Sequence, residues 1–240
     1  MRTPLTVLIP AKHEPHTIVS TLESLRRAVH TPHRTIVVNV SDEKDTTAAL
    51  VKRYIRTHPQ VRLVRKIHPH GTFGMAIALG LKTVASGAVV PFMADVCDDP
   101  KDIDRMYARL KKGWDIVAAS RYMRGGKKTG GPAVQSFFSR LVCISLQILT
   151  GVPTSDVSNA FKMYNAKLFK NVTVSPTSGV EASMEITLQA YFNGAKITEI
   201  PTVWRGRTAG KSKFKILDRA PKYIRIYLWA VFQRLHPKSL

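Results

Sequence analysis

The chain has 240 residues and 44% of them are hydrophobic, which is enough to bury the core of one α/β domain of ordinary size. Lys and Arg number 37 against 16 Asp and Glu, and the formal net charge of +21 favours phosphorylated substrates, nucleic acid or anionic lipid as partners. Cys97 and Cys143 stand without metal-ligand spacing, which argues against a disulfide scaffold or a zinc site and fits a reducing cytoplasm.

Short apolar runs alternate with helix-length segments along the first half of the chain. Strands are predicted for Leu5 to Ile9, Thr35 to Val40, Val61 to Val64, Ala88 to Met93 and Ile116 to Ala119. The spacing of apolar residues predicts helices over Thr17 to Val29 and Thr46 to Arg56. This alternation predicts an α/β fold with a mostly parallel central sheet flanked by helices. The stretch Gly125 to Pro132 is predicted to be a mobile loop, either a hinge or lid or a plain surface loop.

Asp95 is the first candidate for chemistry. It follows the run Ala88 to Met93, and a carboxylate where a buried strand opens into a loop is typical of α/β sites for metal-bound, phosphate-bearing ligands. A hard divalent cation needs few carboxylates, because phosphate oxygens complete its coordination. The neighbouring Asp98 and Asp99 are predicted to cap a helix that begins at Pro100.

Two loops are weaker candidates for a nucleotide site. Ile9 to Glu14 follows the first strand and precedes a helix, where nucleotides commonly meet an α/β sheet. Gly71 to Gly74 precedes the helical segment Met75 to Leu81, and its glycines provide either backbone amides for a phosphate or a tight turn. The histidines near predicted loops are expected to be solvated and not catalytic; they are His13, His16, His68 and His70.

These segments, in this order, resemble the family 2 glycosyltransferases with a GT-A fold, and among them the dolichyl-phosphate mannose synthase and polyprenyl-phosphate glycosyltransferase branch. The resemblance runs from Val7 to about Ile216. The matching positions are Pro10, Ala11 and Glu14 (Pro-Ala-x-x-Glu), Ala94, Asp95, Asp98, Asp99 and Pro100 (Asp-Ala-Asp-x-Gln-Asp-Asp-Pro), Ala119 to Tyr122 (Gly-Ser-Arg-Tyr), Ser139-Arg140, Asp156 to Lys162, Glu185, and Arg207 to Lys213 (Arg-x-x-Gly-x-Ser-Lys). It implies a GT-A, Rossmann-like domain over residues 1–216 and a basic amphipathic C-terminal helix or tail over 217–240.

The resemblance also implies where the substrates bind. A nucleoside-diphosphate sugar is expected at Pro10, Ala11, Glu14, Asp42, Gly74, Asp95 and Lys213. The phosphate of the acceptor is expected at Ser139, Arg140, Arg207 and Lys213. Catalytic roles are expected for Asp95, Arg121, Asp156 and Arg207, and a Mg²⁺ or Mn²⁺ ion is expected at Asp95.

Several positions depart from the family pattern. Met93 replaces the first Asp of the metal motif and Cys97 replaces its Gln, so the motif keeps fewer oxygen ligands. Phe73 replaces a Lys that is common in a Gly-Lys-Gly turn. The family's Asp-Asp-Gly-Ser loop after the second strand reads Val40 to Asp45 here, and Asp42 is the expected substitute.

The activity that the resemblance implies is an inverting transfer of a hexose, mannose or glucose, to a polyprenyl or dolichyl phosphate. Negative charge grows on the leaving diphosphate, and a metal or cations such as Arg121, Arg207 and Lys213 would stabilise it. A lipid phosphate is already anionic at neutral pH, so a general base is dispensable. Asp156 is therefore open to three roles: a base, a group that orients an arginine, or a turn cap.

Two apolar segments predict contact with a membrane surface, although no run of about 18 apolar residues predicts a spanning helix. Phe137 to Leu149 is interrupted by Arg140, and Tyr223 to Phe232 lies between basic residues. Basic groups contribute about 1 kcal/mol each at an anionic leaflet. We therefore expect a cytoplasmic enzyme, without a leader, peripheral on the inner face of a membrane. The alternative is that these segments pack on the core or against a second copy in a homo-oligomer.

Other classes of function stay open. The charge would also suit a nucleic-acid backbone, but helix-turn-helix and zinc-finger spacings are absent, so nucleic acid is not an expected partner. Met93 and Cys97 would fit a catalytically weak or inactive transferase-like scaffold. A further alternative is a family 2 enzyme that uses another lipid or a glycan as acceptor.

Overall fold

A computed structural model describes residues 4–206 and 216–236. The strands are β1 Leu5–Pro10, β2 His33–Ser41, β3 Val61–Ile67, β4 Ala88–Pro91, β5 Ile116–Ser120, β6 Lys127–Thr129, β7 Lys162–Asn165, β8 Ile197–Pro201 and β9 Val203–Arg205. Seven of them form a sheet in the order β3-β2-β1-β4-β7-β5-β8, and β6 pairs with β9 separately. Only β7 runs antiparallel to its neighbours within these described pairings. The predicted α/β class with a mostly parallel sheet is confirmed.

Helices cover both faces of the sheet. They are α1 Ile18–Ala28, α2 Thr47–Ile55, α3 Phe73–Leu81, α4 Asp102–Leu110, α5 Ala133–Thr150, α6 Ala182–Phe192 and α7 Ile216–Leu235, with a 3₁₀ turn at Ala166–Lys170. Successive strand residues point to opposite faces, so Val7 and Ile9 pack with α1, α2 and α4, whereas Leu8 packs in the layer of α3, α5, α6 and α7. In that second layer α7 packs on α5 and α6 and buries Ile226 and Ala230.

The structure corrects several predicted boundaries. Strand β4 ends at Pro91 rather than Met93, and α4 begins at Asp102 rather than Pro100. The loop Gly125 to Pro132 contains β6, which the sequence does not reveal because its three residues gain strand geometry only from β9. The amide of Lys127 donates to Thr202 O at 2.9 Å, which anchors this loop to the body of the protein.

Helix α5 is exposed along most of its length. Only 17% of Ala133–Thr150 is buried, and its mean hydropathy is 1.3 over 18 residues. By length and composition this helix is able to cross a membrane, a property that the sequence analysis did not expect of any segment. One such helix is weak evidence for a span, because core helices of soluble proteins meet the same criterion.

Candidate functional site

Four strands that run in the same direction bring predicted site residues to one edge of the sheet. Strands β1, β2 and β4 are parallel, and β5 runs in the same direction because both β4 and β5 are antiparallel to β7. Ligands of open α/β sheets bind outside the carboxyl ends of such strands. The loops at these ends carry Glu14, Asp42, Asp95 and Arg121.

Asp45 ties the loop after β1 to the loop after β2. Its buried carboxylate accepts hydrogen bonds from His13 N at 2.9 Å, Asn39 Nδ2 at 2.8 Å and Thr47 N at 2.9 Å. Burial opposes ionisation, but these hydrogen bonds outweigh it and hold the pKa of Asp45 well below its usual range. Asp45 therefore fixes the backbone that follows Ala11 and is a positioning residue that the sequence analysis missed.

His13 lies at the same edge and is paired. Its φ of 53° is in the left-handed region, which is uncommon for a residue other than glycine and is typical of functional loops. Its Nε2 lies 2.9 Å from Asp42 Oδ2 and 3.4 Å from Ser41 Oγ. Burial opposes ionisation of Asp42, and the hydrogen bond with His13 lowers its pKa. The structure thus holds this imidazole beside Asp42 with its side chain 39% exposed, and the expectation that His13 is not catalytic stays a prediction.

Pro10, Ala11 and Glu14 have structural partners of their own. Pro10 and Ala11 are buried, and Ala11 N donates to Val38 O at 3.0 Å. Glu14 N donates to Thr47 Oγ1 at 2.9 Å, which joins this loop to the start of α2. Contact of these three residues with a nucleotide stays a prediction.

Gly74 is placed by packing. A Cβ there would lie 2.3 Å from Ser175 O, and the amide of Gly74 donates to Ser178 O at 2.8 Å. The amide is thus engaged, so the structure favours the tight-packing interpretation over binding of a phosphate.

Asp95 stands in a tight turn after β4. Its Oδ1 accepts a hydrogen bond from Cys97 N at 3.3 Å, and Val96 between them has a φ of 57°. The carbonyl of Cys97 accepts from Arg205 N at 2.8 Å. The turn that carries Asp95 is therefore attached to β9.

Asp98 does not cap α4 as predicted. Its carboxyl is buried, and Oδ1 has no hydrogen-bond partner within the described ranges. Burial, followed by the negative charge of Asp95, raises the pKa of Asp98 to about 8. Asp99 does serve the helix start, since its Oδ1 accepts from Lys101 N at 3.1 Å.

The carboxyl groups of Asp95 and Asp98 are the candidate ligands for the expected divalent metal ion. Within residues 4–206 and 216–236, no cluster of three His, Cys, Asp or Glu side chains is arranged to hold an ion. Asp95 and the unpartnered oxygen of Asp98 offer oxygen ligands, and Mg²⁺ or Mn²⁺ bound by one or two carboxylates takes its other ligands from phosphate and water. The residues therefore fit a divalent cation shared with a bound diphosphate, and they do not fit a cage made by protein alone.

Arg121 and Asp156 form a buried, two-bonded ion pair in the site. Arg121 follows β5, and its side chain meets a fully buried Asp156 through Nε–Oδ2 at 2.7 Å and Nη2–Oδ1 at 2.8 Å. The amide of Arg121 donates to the same Oδ2 at 2.9 Å. Burial opposes the charge of the guanidinium, but Asp156 outweighs it and raises the pKa of Arg121 above its usual range. This geometry favours orientation of Arg121 among the three roles open to Asp156.

A chain of hydroxyl groups extends from this pair to α5. Tyr122 OH donates to Ser139 Oγ at 3.0 Å, and Ser139 Oγ lies 3.1 Å from Ser158 Oγ. Arg121 Nη2 donates to Ser158 Oγ at 3.3 Å. The structure therefore brings Ser139 to Arg121, but it leaves Arg140 on the exposed side of α5. Tyr122 and Ser158 belong to segments that match the family pattern, but the sequence does not reveal that their hydroxyl groups both contact Ser139.

Arg207 and Lys213 lie outside the described residues. Their predicted contacts with the donor and acceptor phosphates stay predictions. Strand β9 ends at Arg205, and Gly206 N donates to Thr129 O at 2.7 Å, so the chain enters this segment from the β6–β9 pair.

The sheet order and the edge at which these residues meet define the class, an α/β transferase fold of the GT-A type. Glucosyl-3-phosphoglycerate synthase from Mycobacterium tuberculosis, in complex with Mn²⁺, UDP and glucosyl-3-phosphoglycerate, matches 99% of this chain and 81% of its own at a TM-score of 0.68 and 18% identity. Residues 1–349 of S. aureus TarS match 99% of this chain and 66% of that chain at a TM-score of 0.68 and 16% identity. At such identities the likeness shows the fold.

The chain belongs to glycosyl transferase family 2, whose sequence profile matches residues 6–173, and it is a glycosyltransferase. The dolichol-phosphate mannosyltransferase of Pyrococcus furiosus is 24% identical over 213 residues, which are 88% of this chain and 59% of that protein. The polyprenol monophosphomannose synthase of Mycolicibacterium smegmatis is 23% identical over 237 residues, which are 95% of this chain and 88% of that protein. The chain spans less than two thirds of the Pyrococcus relative. The match to the family profile confirms the predicted family.

Proposed function

We propose that the protein transfers a hexose, with mannose the first candidate, from a nucleoside-diphosphate sugar to the phosphate of a polyprenyl lipid. The observation that carries this proposal is the Arg121–Asp156 pair, which holds an oriented guanidinium beside the linked hydroxyl groups of Ser158 and Ser139. Nε and Nη2 of the guanidinium are engaged by Asp156, and its Nη1 N–H groups are donors of the kind that suits phosphate oxygens. Relatives named for transfer of mannose to dolichol or polyprenol phosphate support the same acceptor class.

The chemistry is a direct displacement. A non-bridging oxygen of the lipid phosphate forms the new bond to the anomeric carbon while the bond from that carbon to the diphosphate oxygen breaks. The electron pair of the broken bond leaves with the nucleoside diphosphate, and the configuration at the anomeric carbon inverts. Since the lipid phosphate is already an anion, no proton has to be removed from it.

The burial of Asp156 supports a mechanism without a base. Both carboxylate oxygens are engaged by Arg121, and the side chain is fully buried. Arg121, with Arg207 and Lys213 as predicted partners, would stabilise the charge on phosphate groups in the site. When bound at Asp95, a divalent cation would supply further stabilisation of the leaving diphosphate.

The apolar faces of α5 and α7 support action at a lipid surface. Their exposed large side chains are Val134, Phe137, Phe138, Leu141, Ile148 and Leu149 on α5 and Ile224, Leu228, Phe232 and Leu235 on α7. Ser139 on α5 reaches the Arg121 cluster, so a lipid phosphate bound there would have its chain close to this face. Together with the net charge of +21, these faces suit an enzyme peripheral on the cytoplasmic side of an anionic membrane.

The test is a transfer assay with purified full-length protein, Mn²⁺, a panel of GDP- and UDP-linked hexoses, and polyprenyl phosphate. We expect one donor to yield hexosyl-phosphoryl lipid. The matched variant Arg121→Lys keeps the positive charge but loses the fork, and we expect it to lose most of the rate. Absence of transfer from every donor, in a sample that melts cooperatively, would contradict the proposal.

A further inference from the structure

The short β6–β9 pair lies next to the end of β5, since Thr202 N donates to Ser120 O at 3.0 Å and Lys127 N donates to Thr202 O at 2.9 Å. This pair carries a lysine that neither the motifs nor the resemblance single out. Lys128 is opposite Trp204 in the parallel register, and its Nζ lies 5.1 Å from the centre of the indole ring. The lysine is half-buried, whereas Lys127, one residue earlier on the same strand, is exposed. The indole face therefore holds the ammonium group of Lys128 in a defined place.

The charges around Lys128 do not balance. Arg121 and Asp156 both act on it: burial and then the positive charge of Arg121 lower the pKa of Lys128, and Asp156 opposes them. Asp156 has both oxygens occupied by Arg121, so it neutralises the guanidinium and not the lysine. This partly desolvated place therefore holds two cations and one carboxylate, and the carboxylate pairs with Arg121.

Among the described residues, no carboxylate lies within ion-pair distance of Lys128. The ammonium group of Lys128 lies over the indole ring of Trp204. Bringing a cation out of water beside another cation is unfavourable unless an anion joins them. The β6–β9 pair nevertheless builds this arrangement with three anchors, Lys127 N to Thr202 O, Thr129 Oγ1 to Trp204 O and Arg205 N to Cys97 O. An anion that bridges Lys128 and Arg121 would remove the imbalance.

We propose that Lys128 is a phosphate-binding residue of the active site, which with Arg121 holds a phosphate group of a substrate. This rests on the proposed function for the identity of the substrates. The phosphate belongs either to the donor diphosphate or to the lipid acceptor, and the same chemistry serves both. Trp204 is a positioning residue for Lys128.

Calorimetry with two separate probes distinguishes the sources. One arm titrates GDP and UDP, and the other titrates farnesyl phosphate, a short prenyl phosphate. We expect Lys128→Met to weaken one of these ligands by at least about tenfold, since loss of a charged hydrogen-bonding partner costs about 1.5–3 kcal/mol. Lys127→Met, the matched control, keeps both affinities, and Lys128→Arg restores most of the loss. Both ligands binding to Lys128→Met as they do to the wild type would overturn the proposal.

A measurement on the unmodified chain guards against a folding defect in the variants. Acetic anhydride labels lysines according to their exposure and free amine, and mass spectrometry reads each site. We expect the ligand identified by calorimetry to protect Lys128 and to leave Lys127 unchanged. Equal labelling of Lys128 with and without both probes contradicts the proposal. Protection of Lys128 without any hexose transfer would instead keep the phosphate site and refute the proposed function.

Discussion

Arg121 and Asp156 meet as a planar, two-bonded pair at the end of β5, with N–O distances of 2.7 and 2.8 Å and the carboxylate fully buried. Such a pair holds the guanidinium in one orientation. A carboxylate engaged in this way is poorly placed to accept a proton from a substrate. We therefore interpret Asp156 as a positioning residue.

Asp156→Asn should remove the charge while it keeps the shape of the side chain. The buried guanidinium then lacks its counter-charge, and breaking such a pair destabilises a protein by about 3–5 kcal/mol. We expect a lower free energy of unfolding in a denaturant titration and a transfer rate reduced by at least about 100-fold.

The pair of variants Asp156→Asn and Arg121→Gln separates orientation from base catalysis. If Asp156 acts through Arg121, the double variant loses little more than the worse single variant, because both changes break one unit. Losses in rate that multiply in the double variant would indicate that Asp156 has a role of its own.

Local sequence patterns predict the strands β1, β2, β3 and β5 well, because each is an apolar run between turn residues. They do not predict β6 or β7, which become strands only through partners distant in the chain. The same limit applies to the site. Asp95 and Arg121 follow strands and are found from the motif, whereas Asp45, Asp98 and Lys128 take their importance from burial and from charges brought together by the fold.

Asp95→Asn should abolish the contribution of Mn²⁺ to binding of the nucleoside diphosphate. Residues 4–206 and 216–236 contain no cluster of three protein ligands for an ion, so Mn²⁺ and diphosphate are expected to bind cooperatively to the wild type. Calorimetry of GDP and UDP with and without Mn²⁺ measures this coupling. Asp99→Asn is the control, since the partly exposed pair of Asp99 with Arg205, at 3.8 Å, contributes little. Coupling that persists in Asp95→Asn would place the metal elsewhere.

The double variant Phe137→Asp/Leu141→Asp should weaken binding to anionic vesicles. Both side chains are more than half exposed on α5, and insertion of each apolar side chain contributes about 1.5–3 kcal/mol. Sedimentation with phosphatidylglycerol vesicles should show at least about a tenfold lower bound fraction. Ile67→Asp is the control, because Ile67 is an apolar residue of β3 with 55% exposure. Equal losses in both variants would indicate a general charge effect and not contact through α5.

Lys162 should make the free energy of unfolding depend on pH between about pH 7 and pH 10, and a variant that lacks this lysine should reveal its contribution. It is fully buried, and its Nζ donates to Val157 O at 2.9 Å, to Ser183 Oγ at 3.0 Å and to Asn159 O. Burial lowers the pKa of Lys162 to about 7, against the partial opposition of Asp156. Between this value and the ordinary lysine pKa of about 10.4, the unfolded chain binds the proton more tightly than the folded chain.

The stability that Lys162 contributes should therefore rise as the pH increases through this window, by at most about 1.4 kcal/mol per pH unit, and stay constant below it. Lys162→Met removes this dependence, so the difference in free energy of unfolding between wild type and variant should shift in favour of the wild type from pH 7 to pH 10. Denaturant titrations across this range measure the difference, and the exposed Lys112→Met provides the control. A difference between wild type and Lys162→Met that does not vary with pH would mean that Lys162 keeps its ordinary pKa inside the folded protein.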